Sequence, residues 1–229
     1  MGSTTTDNIP YWNVNVPPDQ QTETCPDFLA NVSDKDRTTL STPDADCHVD
    51  SWAEVRGKVA SGRIDLFRRR PSDFRRYLAY TWRLRQEYGS VKAFLLERRL
   101  GWREPLVPRG RRPFECEEED VRVLCNDWPY LVDPRIVHLV VWVKFALPED
   151  PATGHLTEET KAEIEAYVDR TFRARMKPDH VVWFRNWASI KSVHSIEHFH
   201  VMLFDPDPGF VQEITHGDVP MSQRPDGNP

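Results

Sequence analysis

The sequence predicts an α+β fold: a single domain in which a small, mostly antiparallel sheet packs with helices, preceded by an extended N-terminal arm. Three observations lead there. Ile136 to Phe145, Ile-Val-His-Leu-Val-Val-Trp-Val-Lys-Phe, is β-branched and apolar on both faces, as a buried strand requires. Val181 to Phe184 and Ile196 to Phe204 repeat that character. Stretches of helical periodicity lie before, between and after these strands, so the sheet has helices to cover it.

A chain of 229 residues holds one sizeable core, and its 19 prolines with a mean hydropathy of −0.62 point to irregular flanks. Residues 1–48 read as the arm. Rich in Pro, Asp and Thr, they carry scattered anchors (Tyr11, Trp12, Val14, Val16, Cys25, Phe28, Leu29) that lay them on the domain. Residues 49–217 form the α+β catalytic domain, with a basic helical part over 56–112, and residues 218–229 a flexible tail.

Within the domain, Ser51 followed by Glu54 has capping-box spacing and opens a helix to Val59. A second helix runs from Ser72 to Glu87, placing Phe74, Tyr77, Leu78, Thr81 and Trp82 on one side, and Gly89 ends it. A third spans Ser90 to Arg99 and closes at Gly101. Residues 105–114 lack apolar periodicity and read as a mobile basic loop that a bound polyanion would order. Val121 to Leu124 finishes a helix or forms a short strand. Asn126-Asp-Trp-Pro-Tyr130 is a turn by its chemistry. Thr157 opens an amphipathic helix to Met176, and residues 208–217 add a short one.

The net charge of −6 conceals an asymmetry. Residues 56–112 hold seventeen Lys and Arg, fifteen of them Arg, against five Asp and Glu. This +12 block leaves −18 for the rest. Arginine forks match phosphate geometry, and counterion release favours their binding to a polyanion. A solvated helix face paired with the acidic flanks is the other reading.

No run of eighteen apolar residues and no basic-apolar leader is present, so a cytoplasmic protein with no membrane partner is expected. Cys25, Cys47, Cys116 and Cys125 form no Cys-x-x-Cys pair and are expected as free thiols. The phosphate-loop pattern Gly-x-x-x-x-Gly-Lys-Ser/Thr, the dinucleotide pattern Gly-x-Gly-x-x-Gly and the nucleophile elbow Gly-x-Ser-x-Gly are all absent. Any substrate arrives already activated.

Chemistry-bearing residues concentrate between Trp183 and Leu203. Strand alternation places His198 and His200 on one face, roughly 7 Å apart, and Glu197, Phe199 and Val201 on the other. Imidazole changes charge near neutral pH, so this pair suits proton transfer. Asn186, Lys191, Ser192, His194 and Ser195 lie close in sequence, too many polar groups to bury without purpose. The pattern is similar to histidine-triad hydrolases, but Met202 stands where the third alternating histidine belongs. Metal binding by His194, His198 and His200 ranks below proton transfer, and neither metal nor cofactor is expected. Asp127 reads as a turn former, or as the acidic partner of a cationic substrate group or of a histidine whose tautomer it orients. Asn126, Trp128, Tyr130, His138, Trp142 and Trp183 read as a substrate pocket, Trp187 as a further wall.

Taken together, Ile9-Pro-Tyr-Trp-Asn-Val-Asn-Val-Pro17, Cys25-Pro-Asp-Phe-Leu29, Arg70-Pro-Ser-Asp73, Asn126-Asp-Trp-Pro-Tyr130, Trp183-Phe-Arg-Asn-Trp187 and Glu197-His-Phe-His-Val-Met-Leu203 resemble the fungal family of N-acetylglucosamine-induced proteins, over nearly the whole chain. That family includes arginine-containing cyclodipeptide synthases. The resemblance implies an aminoacyl transferase that takes arginyl and a second aminoacyl group from aminoacyl-tRNAs and joins them as a diketopiperazine. In this reading His198 or His200 deprotonates the attacking amine, Asp127 or Glu197 holds the guanidinium or ammonium, and Asn186 and Lys191 stabilise the oxyanion. A covalent route would use Ser189, Ser192, Ser195 or Cys125. Arg68, Arg69, Arg70, Arg75, Arg76, Arg109, Arg111 and Arg112 would meet the tRNA. A non-enzymatic RNA-binding or regulatory protein of the N-acetylglucosamine response is the alternative.

Overall fold

A computed structural model describes residues 9–187 and 196–224. Its centre is a four-stranded, fully antiparallel sheet of β1 (Val121–Cys125), β2 (Ile136–Val143), β3 (Val181–Phe184) and β4 (Glu197–Phe204), in the order β1-β2-β4-β3. β2 and β4 are the inner strands. Both are buried almost throughout, which is why they are apolar without alternation. Their register sets Val140 opposite His200 and Trp142 opposite His198.

Helices cover both faces. On one, Leu139, Val141, Phe199 and Val201 pack against Ile164, Tyr167 and Phe172. These come from α6 (Glu158–Val168) and the π-helical turn Asp169–Arg173 that continues it, with Phe210 of α7 (Pro208–Ile214) alongside. Thr157 caps α6 by accepting from the Thr160 amide, and Glu158 and Glu159 complement the helix dipole.

On the opposite face, Leu124, Val140 and Trp142 meet Tyr80, Leu84, Phe94 and Leu95. These belong to α3 (Pro71–Tyr88), α4 (Val91–Phe94) and its π-helical continuation Leu95–Leu100. Gly89 and Gly101 end these helices at φ 75° and 64°, the left-handed geometry glycine adopts without a Cβ penalty. Toward the β3 edge, Val55 of α2 (Trp52–Ala60), Ile64 and Phe67 pack with Ile136, Phe184 and Met202. The Ser51/Glu54 capping box is formed in both directions.

Three stretches depart from the sequence expectation. The arm lies against α3 but is not extended throughout: α1 (Asp34–Leu40) forms in it, capped by Ser33 and acidic in its first turn. The 105–114 loop is tied to protein carboxylates. Asp120, at the end of α5 (Glu117–Asp120), accepts from the Arg109 and Gly110 amides, and Glu115 from those of Arg111 and Arg112. Phe114 then enters the core. Residues 218–224 of the expected tail are docked: Met221 is fully buried and Asp218 is ion-paired.

Candidate functional site

Between α3, α4 and the sheet lies a cavity of about 100 Å3. His198, His200, Val140 and Trp142 floor it, Tyr77, Tyr80, Thr81 and Leu84 of α3 roof it, and the 126–130 turn and Asn186 close its sides. The strand parity that sends both histidines to one face is met, and their ring centroids are 5.6 Å apart.

The two imidazoles differ in their engagements. His200 Nδ1 lies 3.0 Å from His138 Nε2, and its Nε2 lies 3.1 Å from the Asn186 amide nitrogen. Both of its ring nitrogens are therefore taken. Desolvation holds its pKa well below the ordinary value, with His138, His198 and Arg69 adding to the effect. His138 sits behind it, its pKa lowered to about 3 by burial and Arg69, and contacts the Asn126 amide nitrogen at 3.2 Å. Burial thus favours the neutral form of both rings. In His198, Nδ1 lies 2.8 Å from the Ile196 carbonyl oxygen, which accepts its proton. That bond fixes the tautomer and makes Nε2 the basic nitrogen. The ring also lies against Trp142, centroids 4.5 Å apart.

Three buried polar atoms on the lining residues have no hydrogen-bond partner among the described residues: Tyr80 Oη, Trp128 Nε1 and Asn186 Oδ1. Native interiors pair nearly all such groups, with protein, ordered water or a bound ligand. Burial, with the Asp127 charge, raises the Tyr80 pKa, so its phenol stays protonated.

Asp127 does hold a guanidinium, but the protein's own. Arg99 donates to both of its oxygens at 2.7 and 3.2 Å and to both oxygens of Asp218 at 2.6 and 2.9 Å. Desolvation pushes the Asp127 carboxyl up while Arg99 opposes that shift, and the hydrogen bonds Arg99 donates raise its own pKa above the ordinary value despite burial. Asp127 also accepts from the Met221 amide. It is therefore unavailable to a substrate cation, which corrects its expected role.

Two further expectations are corrected. Glu197 lies on the other side of the strand, where Arg185 binds it at 2.9 Å, and it does not line the cavity. Trp183 pairs with Val201, so parity turns it to the α6 face, where its indole donates to Glu165. Phe184, one residue on, shares the histidine face and stacks on His200 at 5.0 Å. Lys191, His194 and the three serines lie outside the described residues. Cys125 lines the cavity, but burial and Asp218 push its thiol up to about 11, so it is protonated at neutral pH and is no nucleophile. Tyr77, Tyr80 and Arg99 are cavity residues that sequence reasoning missed as such. The Tyr77-Tyr80-Leu84 spacing on α3 was the available signal, but it also describes an ordinary core stripe.

The arginines divide. Arg68, Arg70 and Arg76 are exposed, and Arg76 lies over the Trp128 ring at 5.3 Å. Arg69 turns inward, donates to the Trp128 carbonyl at 2.8 Å and stacks over Tyr77 and Tyr130. Arg75 is half-buried between the Trp12 carbonyl and the Phe28 ring, anchoring the arm. Arg109, Arg111 and Arg112 are exposed on the Asp120 loop, which belongs to the layer beneath the other face of the sheet. Away from the cavity, His48, Asp50 and Glu54 gather three metal-ligating side chains within 4.8 Å. Their proximity follows from pairing already present: Glu54 caps α2, and Asp50 meets Lys58 at 2.5 Å.

Residues 51–204 match the family model described as protein of unknown function, DUF3605. N-acetylglucosamine-induced protein 1 of Candida albicans is 29% identical over 185 residues, 73% of either chain. An uncharacterized protein of Saccharomyces cerevisiae is 27% identical over 184 residues, covering 75% of this chain and 91% of that one. Among solved structures, the crystal structure of HTC1 superposes with a TM-score of 0.62 at 26% identity, over 75% of this chain and 98% of that one. The family match takes in all four strands, the 126–130 turn and both cavity histidines, and the chain thus belongs to this family of unknown function, with fungal relatives that include an N-acetylglucosamine-induced protein.

Proposed function

We propose that the chain is a tRNA-dependent cyclodipeptide synthase that joins an arginyl and a second aminoacyl group, taken from aminoacyl-tRNAs, into a diketopiperazine. The observation that carries this reading is His198: a buried imidazole with its Nδ1 proton committed to the Ile196 carbonyl, lining a cavity with three unpartnered polar atoms. Such a group is suited to take a proton from an amine. The α-amine of one aminoacyl ester attacks the ester carbonyl of the other, His198 Nε2 accepts the amine proton, and the carbon–oxygen bond to the tRNA ribose breaks. The departing ribose oxygen takes the proton back. Repetition within the resulting dipeptidyl ester closes the ring and releases the second tRNA.

Asn186 lines the cavity with its Oδ1 unpartnered, which suits holding an amine N–H, while Trp128 Nε1 and Tyr80 Oη are the donors for a developing oxyanion. Arg68, Arg70 and Arg76 supply phosphate contacts on the surface next to Trp128. The absence of nucleotide-binding motifs agrees with a substrate activated elsewhere. A reaction of purified chain with charged tRNAs, followed by mass spectrometry for arginine diketopiperazines, tests the reading.

A further inference from the structure

We infer that the cavity beneath α3 is a binding site for an uncharged amide group and excludes a guanidinium. The inference deepens the reading of this cavity as the substrate site and rests on it only for the identity of the natural ligand: in a synthase, the cavity would seat the non-arginyl partner or the ring itself.

Charge is the first argument. Asp127 is the carboxylate among the described residues lining the cavity, and Arg99 and Arg224 already offset it together with Asp218. Arg69 adds a fixed positive charge at the wall. A second guanidinium would lose its hydration and gain no free counter-charge. An anion would meet Arg69, whose guanidinium already donates to the Trp128 carbonyl and stacks on Tyr77 and Tyr130, and would face the Asn186 Oδ1 lone pairs. Both ionic classes are disfavoured, and a neutral group is not.

Hydrogen-bond valence is the second. Trp128 Nε1–H only donates, Asn186 Oδ1 only accepts, and the Tyr80 hydroxyl does either. The three residues are 5%, 4% and 5% exposed respectively, so bulk water does not serve these atoms. An occupant that pairs them must bring an acceptor and a donor together within about 100 Å3, less than the roughly 150 Å3 of an engineered cavity that admits benzene. An amide brings a carbonyl and an N–H on adjacent atoms. The aromatic walls of Tyr77, Tyr80 and Trp142 suit its flat faces.

The test follows the indole N–H signals of the eight tryptophans in 15N-labelled full-length protein, Trp128 being assigned with Trp128→Phe. Acetamide, unsubstituted diketopiperazine, methylguanidinium chloride and sodium acetate are titrated in turn. Saturable movement of the Trp128 signal is expected with the two amides, weakened at least threefold in Tyr80→Phe. Tighter binding of the cyclic probe assigns the site to the ring, and tighter binding of acetamide to a side-chain amide. Saturation by methylguanidinium or acetate at the same signal, or none by either amide, overturns the inference. If the chain yields no diketopiperazine from charged tRNAs and yet Trp128 saturates with amides, the amide site stands and the synthase reading falls.

Discussion

Nδ1 of His198 lies 2.8 Å from the carbonyl oxygen of Ile196, two residues earlier, so the strand's own backbone sets the tautomer of the cavity histidine. His200, on the same face, has both nitrogens bound to side chains. As the proposed base, His198 is expected to respond to substitution differently from His200. His198→Ala should lower the rate of product formation by about 100- to 10,000-fold, the range of a lost general base. His200→Gln, which retains hydrogen-bonding capacity, should lower stability more than turnover. Single-turnover rates beside urea denaturation curves for both variants check this, and equal losses of rate would contradict it.

The buried Arg99 triad should be structural. Arg99→Ala strands two carboxylates in a site that excludes water and is expected to cost about 3–5 kcal/mol. Met221→Ala, at a fully buried position of the docked tail, is expected to cost about 2–5 kcal/mol. Chemical denaturation measures both, and changes under 1 kcal/mol would show that the tail does not brace the 126–130 turn.

Stability should fall with acid below about pH 6.5. His138 and His200 have folded-state pKa values depressed by burial, so the unfolded chain binds more protons than the folded one beneath the unfolded value. Their destabilising effect begins as pH drops through that value and levels off only near the folded one, about 3 for His138. Each contributes a slope of about 1.4 kcal/mol per pH unit in that window. His138→Gln should reduce the slope by one proton between pH 5 and 6, and an unchanged slope would mean that the ring is not buried neutral.

Much of this arrangement is legible along the chain, and the illegible parts share a cause. The Ser51/Glu54 cap, the Gly89 and Gly101 stops and the shared face of His198 and His200 depend on neighbours within four residues, or on strand parity. Trp183 fails by one step of that parity, because its aromatic character says nothing about which face it takes. Asp127 fails for a different reason: its partners are Arg99 and the Met221 amide, 28 and 94 positions away, and no local pattern announces pairs of such separation. Asp120 resembles the solvated acids Glu117 to Glu119 beside it, yet it is buried and organises the 109–110 backbone.

The arginine block should separate likewise. Arg68→Ala with Arg70→Ala removes two exposed charges and is expected to reduce the salt slope of tRNA binding by about 0.7–0.9 per charge. Arg69→Ala should instead loosen the Tyr77 and Tyr130 stack, at a cost of about 1 kcal/mol, with the salt slope nearly unchanged. Filter binding between 50 and 200 mM salt, run beside thermal melts, distinguishes the two behaviours.

The central claim is aminoacyl transfer in the cavity that holds His198. It is tested most directly by incubating purified wild-type and His198→Ala chains with arginyl-tRNA and a mixture of other aminoacyl-tRNAs, then searching by mass spectrometry for diketopiperazines containing arginine. Product from the wild type and at least a hundredfold less from a folded His198→Ala variant is the expected result. No product with any partner, or equal product from both chains, would contradict it.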